Sequence, residues 1–301
     1  MGGSSVVSVD DWEFASPSNN VKTLVLFGRT GNGKSATGNT ILGKKVFKSK
    51  TSSSGVTASC EMKTAVMYDG QVINVIDSPG LFDLSAKSEF VGEEILKCIG
   101  LAKDGIHAII VVLSIKTRFS VEEENAFRSL QTLFGSKIVD YMIVVFTNGD
   151  TLENDDMTLD DDYLGPECPE SLKAIISLCD NRYVLFNNIT KDKEKQFEQV
   201  QQLLSLVNQV VSKNGGRPYT DELFTKFEEG DIGLLKQITD MVDTKLKETT
   251  IRLEQRLAQE QEARLDAEKR SNDEIEKLRK DLEQAHAELG RRAAKFGCSI
   301  L

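Results

Sequence analysis

Histidine is almost missing from this chain of 301 residues. His107 and His286 are its two, which leaves no material for a histidine-built metal centre or a catalytic triad. No stretch approaches the roughly 18 consecutive apolar residues that a membrane-spanning helix needs. The first residues lack a charged segment followed by an apolar run, so no secretory signal is expected, and Val6 in MGGSSV argues against myristoylation. The five cysteines (Cys60, Cys98, Cys168, Cys179, Cys298) are odd in number and scattered. They read as reduced thiols of the cytosol rather than a disulfide or metal framework. In that compartment the sequon Asn188-Ile189-Thr190 would not meet the glycosylation machinery. Basic residues do not dominate: 37 Lys and Arg face 47 Asp and Glu, a formal charge of −10, against the basic face of a general nucleic-acid binder. Proline stops at Pro218, after which Glu, Lys, Arg, Gln and Leu take over. A change of architecture is expected there.

What is present is concentrated near the start. Residues 22–35, KTLVLFGRTGNGKS, run an apolar strand into the pattern G-x-x-x-x-G-K-[ST], a phosphate-binding loop. Gly28, Arg29, Thr30, Gly31, Asn32 and Gly33 are expected to wrap phosphate with backbone N–H groups. Lys34 places a charge on the β- and γ-phosphates, Ser35 offers a hydroxyl to Mg²⁺, and Ala36 continues the helix whose dipole faces the anion. A nucleoside triphosphate is the implied ligand.

Apolar runs then alternate with amphipathic stretches, as in a mostly parallel α/β sheet. Strands are predicted at 22–27, 60–68, 72–77, 106–113, 138–146 and 182–186, with helices at 34–42, 89–102, 121–134, 170–179 and 193–213. The turn signal Asp69-Gly70 makes the second strand an antiparallel edge. Asp77 ends a strand before Ser78-Pro79-Gly80, where its carboxylate is expected to hold the Mg²⁺ shell and the Gly80 N–H to sense a γ-phosphate. A plain Ser-Pro-Gly turn is the alternative. The polar stretch KSKTSSSGVTASC before the second strand reads as a switch loop or a merely flexible one. Thr57 is its expected Mg²⁺ contact, with Thr51 and Ser54 as competitors. At Thr147-Asn148-Gly149-Asp150 the Asp150 carboxylate is expected to accept from guanine N1 and N2, and Asn187 to add a contact to the base. Asn148 stands where guanine binders usually carry lysine. The acidic loop after Asp150 lacks the glycine and terminal glutamate of a calcium loop and reads as solvated.

The runs GRTGNGKSATGNTILG, GVTASC, DSPGLFD, LSIKTRFSVEEENAFRSLQTLFG and FTNGD together resemble the immunity-associated (GIMAP-type) GTPase family, most closely its plant, avirulence-induced members. The resemblance spans residues 20–215 and is most specific in the box 113–135. It implies a Ras-like P-loop GTPase fold related to septins and chloroplast-import GTPases, with GTP or GDP and Mg²⁺ as cofactors. It also implies self-association through the nucleotide face and a role in defence or stress responses. Leu81 follows Gly80 where small GTPases place the glutamine that orients water, so intrinsic hydrolysis is expected to be slow. A borrowed arginine would raise it. Arg118 is the first candidate, with a surface ion pair to Glu122 or Glu123 as its plainer alternative, and Arg29 is the second.

The expected organisation is a leading segment 1–20, a nucleotide domain 21–215, a helical, partly coiled-coil extension 216–290 and a basic segment 291–301. Ile275, Leu278, Leu282, Ala285 and Leu289 follow a coiled-coil spacing, but the pattern falters upstream, which keeps a solvated helix in contention. Cys298-Ser299-Ile300-Leu301 reads as a geranylgeranylation box, reinforced by Arg291, Arg292 and Lys295. Two functional readings follow. One is a slow GTPase activated by dimerisation on the cytosolic face of an endomembrane or the plasma membrane. The other is a membrane scaffold held by GTP without hydrolysis. An ATP-using protein is a weaker third.

Overall fold

The computed structural model of the protein describes residues 21–49, 57–81, 83 and 86–296. Its centre is a six-stranded sheet in the order β2-β3-β1-β4-β5-β6. The strands are β1 (Val21–Phe27), β2 (Glu61–Val66), β3 (Val72–Asp77), β4 (Ala108–Ser114), β5 (Met142–Thr147) and β6 (Tyr183–Phe186). Every pairing is parallel except β2 with β3, where Glu61 faces Asp77 and Val66 faces Val72. This is the expected α/β sheet with one antiparallel edge. Strands β4 and β5, AIIVVLS and MIVVFT, are buried at every residue. Unbroken apolar runs are what strands covered on both faces require.

The helices are α1 (Lys34–Ile41), α2 (Ser88–Leu101), α3 (Val121–Phe134), α4 (Asp150–Asn154), α5 (Glu170–Leu178), α6 (Lys193–Lys213), α7 (Glu222–Glu228) and α8 (Leu234–Phe296). Helix α3 opens with a capping box: the Ser120 hydroxyl accepts from the Glu123 N–H while the Glu123 carboxylate accepts from the Ser120 N–H. That reciprocal pairing satisfies two donors the first turn would leave open. Asp192 and Asp221 cap α6 and α7 in the simpler way.

Two sequence expectations are corrected. The strand expected over 138–146 begins only at Met142, because Ser136–Tyr141 winds as a 3₁₀ helix. There Ile138 turns into the core, and Tyr141 donates to the Arg217 carbonyl at 3.2 Å. The helical extension expected over 216–290 is broken between α7 and α8 at Gly230, whose φ of +70° an L side chain rarely adopts.

The chain divides into two compact units, Met1–Leu246 and Lys247–Leu301. Residues 216–246 therefore lie within the first unit, beyond the expected boundary at 215. Tyr219 exchanges backbone bonds with Ile106 at 3.0 and 2.7 Å. Leu223, Phe224, Leu234, Ile238 and Val242 are buried in the core. Helix α2 makes room for this layer with glycine: a Cβ at Gly92 would lie 2.7 Å from the Thr239 hydroxyl, and one at Gly100 2.9 Å from the Phe227 ring. In the second unit Ile275, Leu278, Leu282 and Leu289 are all exposed. No helix among the described residues is long and apolar enough to cross a membrane.

The packing predicts two unequal mutations. Ile238→Ala removes a side chain with 0% exposure and should cost about 2–5 kcal/mol. Leu278→Ala, at a side chain 62% exposed, should change stability by less than about 0.5 kcal/mol. Urea unfolding of the two variants checks this; equal, small changes would remove α8's first turns from the core.

Candidate functional site

The loop between β1 and α1 is shaped by what surrounds it. A Cβ at Gly28 would sit 2.4 Å from the Val112 carbonyl oxygen, so the chain passes β4 at a distance no side chain allows. Gly33 enters α1 with φ +92°, which lets the chain turn tightly before Lys34. The Lys34 ammonium reaches back to the carbonyls of Gly28 (2.8 Å) and Arg29 (3.0 Å). Burial pushes its pKa down to about 8, against the pull of Asp77 and Asp83. Thr30 and Gly31 are exposed at the loop's tip, and Ala36 is half-buried in α1.

Four further hydrogen bonds tie the loop to its surroundings, and none of these pairings was visible in the motif. The Asn32 amide donates to the Val112 carbonyl at 3.0 Å and to the Glu123 carboxylate at 2.9 Å, with Asn32 and Glu123 both buried. The Thr147 hydroxyl donates to the Asn32 carbonyl at 2.7 Å. Arg29 donates to the Ser120 hydroxyl at 3.2 Å. The box 113–135 thus grips the phosphate loop through the cap of α3. Its one sequence signal was the spacing Ser120-x-x-Glu123.

Ser35, Thr57 and Asp77 converge. Ser35 donates to Asp77 Oδ2 at 2.5 Å and lies 3.0 Å from the Thr57 hydroxyl, which itself reaches Oδ2 at 3.2 Å. The other carboxylate oxygen, Oδ1, is buried without a partner among the described residues. Burial pushes the Asp77 carboxyl up from its ordinary range, while Ser35, Lys34 and Thr57 pull it down. A buried, half-satisfied carboxylate beside two hydroxyls suits a hard divalent cation such as Mg²⁺. Among the described residues no group of three or more His, Cys, Asp or Glu forms a cage, so water and ligand oxygens would complete its shell. Gly80 closes the opposite wall, where a Cβ would meet the Thr30 hydroxyl at 2.3 Å. Asp83 accepts from the Thr30 N–H at 3.3 Å. Leu81 is buried at 1% exposure.

At the end of β5, Asn148 takes φ +67° and turns inward, donating to the Ser114 hydroxyl at 2.8 Å. Asp150 starts α4, with its carboxylate 3.5 Å from the Lys116 ammonium. Asn187, expected at the base, is buried: its amide donates to Glu153 at 3.3 Å and its oxygen accepts from the Ile189 N–H at 3.2 Å. One end of this side chain thus binds helix α4 and the other its own loop. Arg118 is exposed and, among the described residues, makes no ion pair with Glu122 or Glu123. Cys298 lies outside the described residues.

Residues 22–238 match the AIG1 family, a span that runs from β1 to the first turns of α8. In Arabidopsis thaliana, immune-associated nucleotide-binding protein 9 is 52% identical, with 100% of this chain and 98% of that one covered. Immune-associated nucleotide-binding protein 3 is 45% identical over 91% of this chain and 81% of its own length. Among solved structures, Toc33 from Arabidopsis thaliana in complex with GDP and Mg²⁺ is a distant likeness, 19% identical with a TM-score of 0.46, covering 63% of this chain and 85% of that chain. With its phosphate loop, its β3 carboxylate and the box that grips the loop all inside the matched span, the chain is a member of the AIG1 family.

Proposed function

We propose that this protein binds GTP and GDP with Mg²⁺ and is a slow GTPase whose turnover rises when two copies meet at their nucleotide faces. The observation that carries the reading is the convergence of Ser35, Thr57 and Asp77 beside the buried ammonium of Lys34. Lys34 would exchange its two carbonyl partners for phosphate oxygens, and the loop from Gly28 to Ala36 would supply backbone N–H donors. Ser35, Thr57 and Asp77 would hold Mg²⁺, which when bound neutralises charge on the phosphates. Gly80 would donate its N–H to the terminal phosphate, joining β3 to the state of the ligand. Relatives bear the name immune-associated nucleotide-binding protein, and a role in defence is proposed here on that likeness.

Asp150 is the proposed guanine reader, with Thr147 and Asn148 holding its loop; the engaged side chain of Asn187 leaves that residue a supporting part. Asp150→Asn should weaken GDP binding by about 10- to 100-fold, the effect of a lost charged acceptor worth on the order of 1–3 kcal/mol. The same change should favour xanthine, whose 2-oxo group accepts where guanine donates. Titration with fluorescent GDP, XDP and ADP checks this. Undiminished GDP affinity in the variant would remove Asp150 from the base site, and equal affinity for ADP in the parent would remove the guanine reading.

The buried Leu81 offers no hydrogen bond to an attacking water, and this favours the second reading, a scaffold held by GTP. Arg118, exposed and uncommitted to Glu122 or Glu123, supports the first. It would cross to a facing copy and stabilise charge in the transition state. GTP hydrolysis per molecule should rise steeply with protein concentration, and Arg118→Ala should flatten that rise by about 10³-fold or more while leaving GTP affinity unchanged. A rate that stays near zero at every concentration in the parent would establish the scaffold instead.

Membrane attachment is proposed through a geranylgeranyl group on Cys298, seconded by Arg291, Arg292 and Lys295. In fractionated cells Cys298→Ser should move the protein from the membrane pellet to the supernatant. A variant that stays with the membranes would end this part of the reading.

A further inference from the structure

On the face of the compact unit bounded by α1, β2 and the start of α6 lies a groove of about 730 Å³. Four large apolar side chains line it while remaining open to solvent: Val66 at 70% exposure, Tyr68 at 74%, Ile189 at 71% and Phe197 at 54%. The rings of Tyr68 and Phe197 meet at 5.7 Å, giving the groove an aromatic wall. Among the described residues its charged lining is one-sided, with Lys44, Lys45 and Lys193 and no carboxylate. On a chain with net charge −10 an apolar groove rimmed by lysine alone is built for something aromatic and acidic.

Residues 1–20 of the same chain have that chemistry. Val9-Asp10-Asp11-Trp12-Glu13-Phe14 sets two aromatic residues among three carboxylates, and the whole segment contains no lysine or arginine. The segment also arrives at the right place. It joins β1 at Val21, which pairs with Val72, and Val72 pairs with Val66 on the groove's own strand. Two strand spacings, about 10 Å, separate Val21 from Val66. Lys22 meets Asn208 of α6, the helix that carries Phe197. The nine residues from Trp12 to Val21 can span up to about 30 Å, so the reach is ample.

We propose that this groove is the seat of residues 9–14 of the same chain, Trp12 and Phe14 packing on Tyr68 and Phe197 while Asp10, Asp11 and Glu13 pair with the three lysines. Tethering makes the contact intramolecular, with an effective concentration in the millimolar range, so a modest interface suffices. The seat adjoins α1 and the Asn187–Asn188 loop. Asn188 ties that loop to α1 through Thr40 at 2.7 Å and Thr37 at 3.1 Å. A docked segment would therefore brace the element that carries Ser35. The inference stands independently of which nucleotide the protein binds.

Trp12 is the chain's single tryptophan, so the native protein carries its own probe. In the full chain, tryptophan emission should be blue-shifted and shielded from acrylamide, unchanged on dilution. Phe197→Asp should return both to the values of a free indole, and Lys45→Glu, which changes an exposed charge and no packing, should shift them part of the way. Far-UV circular dichroism of both variants checks that they fold. An indole that is fully exposed in the parent overturns the proposal, as does one that is shielded yet indifferent to both substitutions. Shielding that fades on dilution would assign the groove to a second copy instead.

Discussion

A side chain at position 28 has nowhere to go, because the Val112 carbonyl oxygen lies 2.4 Å from where its first carbon would be. The rest of the site follows from that contact. With the loop laid against β4, Asn32 reaches the same carbonyl with its amide and spans to Glu123 on α3. Its own carbonyl then receives the Thr147 hydroxyl from β5. Three consecutive strands of the sheet and one helix cap converge on six residues of backbone. The two buried strands behind them, apolar up to Ser114 and Thr147 at their ends, give those polar bonds a setting of low dielectric in which each is stronger and each omission more costly.

Against this wall stand the groups proposed to respond to a ligand. Lys34 and Asp77 are both buried, and their pKa values shift in opposite senses from ordinary, the ammonium down and the carboxyl up. Desolvation is the leading cause in both. Among the described residues Asp77 still has one oxygen unpaired, and Lys34 donates only to carbonyl oxygens of its own loop. Polar groups left in this condition inside a well-packed core mark a place where something else is meant to bind.

Much of this was legible in the sequence. The spacing Gly28 to Ser35 located the loop, and the periodicity of 121–134 and 193–213 gave α3 and α6 to the residue, because local signals such as Ser120 and Asp192 caps sit where each helix starts. Two elements failed for identifiable reasons. The segment SKIVDY before Met142 has no period of its own, so the sequence does not distinguish from strand a 3₁₀ turn held by Tyr141 and Tyr219. The helical composition after Pro218 hid Gly230, whose left-handed φ breaks the run. The site's support was invisible for a different reason: Asn32 and Glu123 are 91 positions apart, and no local pattern connects them. Asn187 shows the converse. Its position after β6 suggested a ligand contact, yet Glu153 and Ile189 occupy both its ends.

The lowered pKa of Lys34 has a thermodynamic meaning for the fold. Its value near 8 in the protein, against 10.5 for an ordinary lysine, means that the unfolded chain holds a proton more firmly than the phosphate-free native state does. Native stability of that state must therefore rise as pH climbs from about 8 toward 10.5, and below about 8 it bears the whole burden of an ammonium in a dry pocket. A phosphate bound there, as proposed, would remove the burden by giving the charge a partner. Nucleotide would then act as the last piece of the core, drawing a proton in as it binds above pH 8 and favouring the native fold by mass action. The protein's resistance to heat would then become a gauge of how much nucleotide surrounds it.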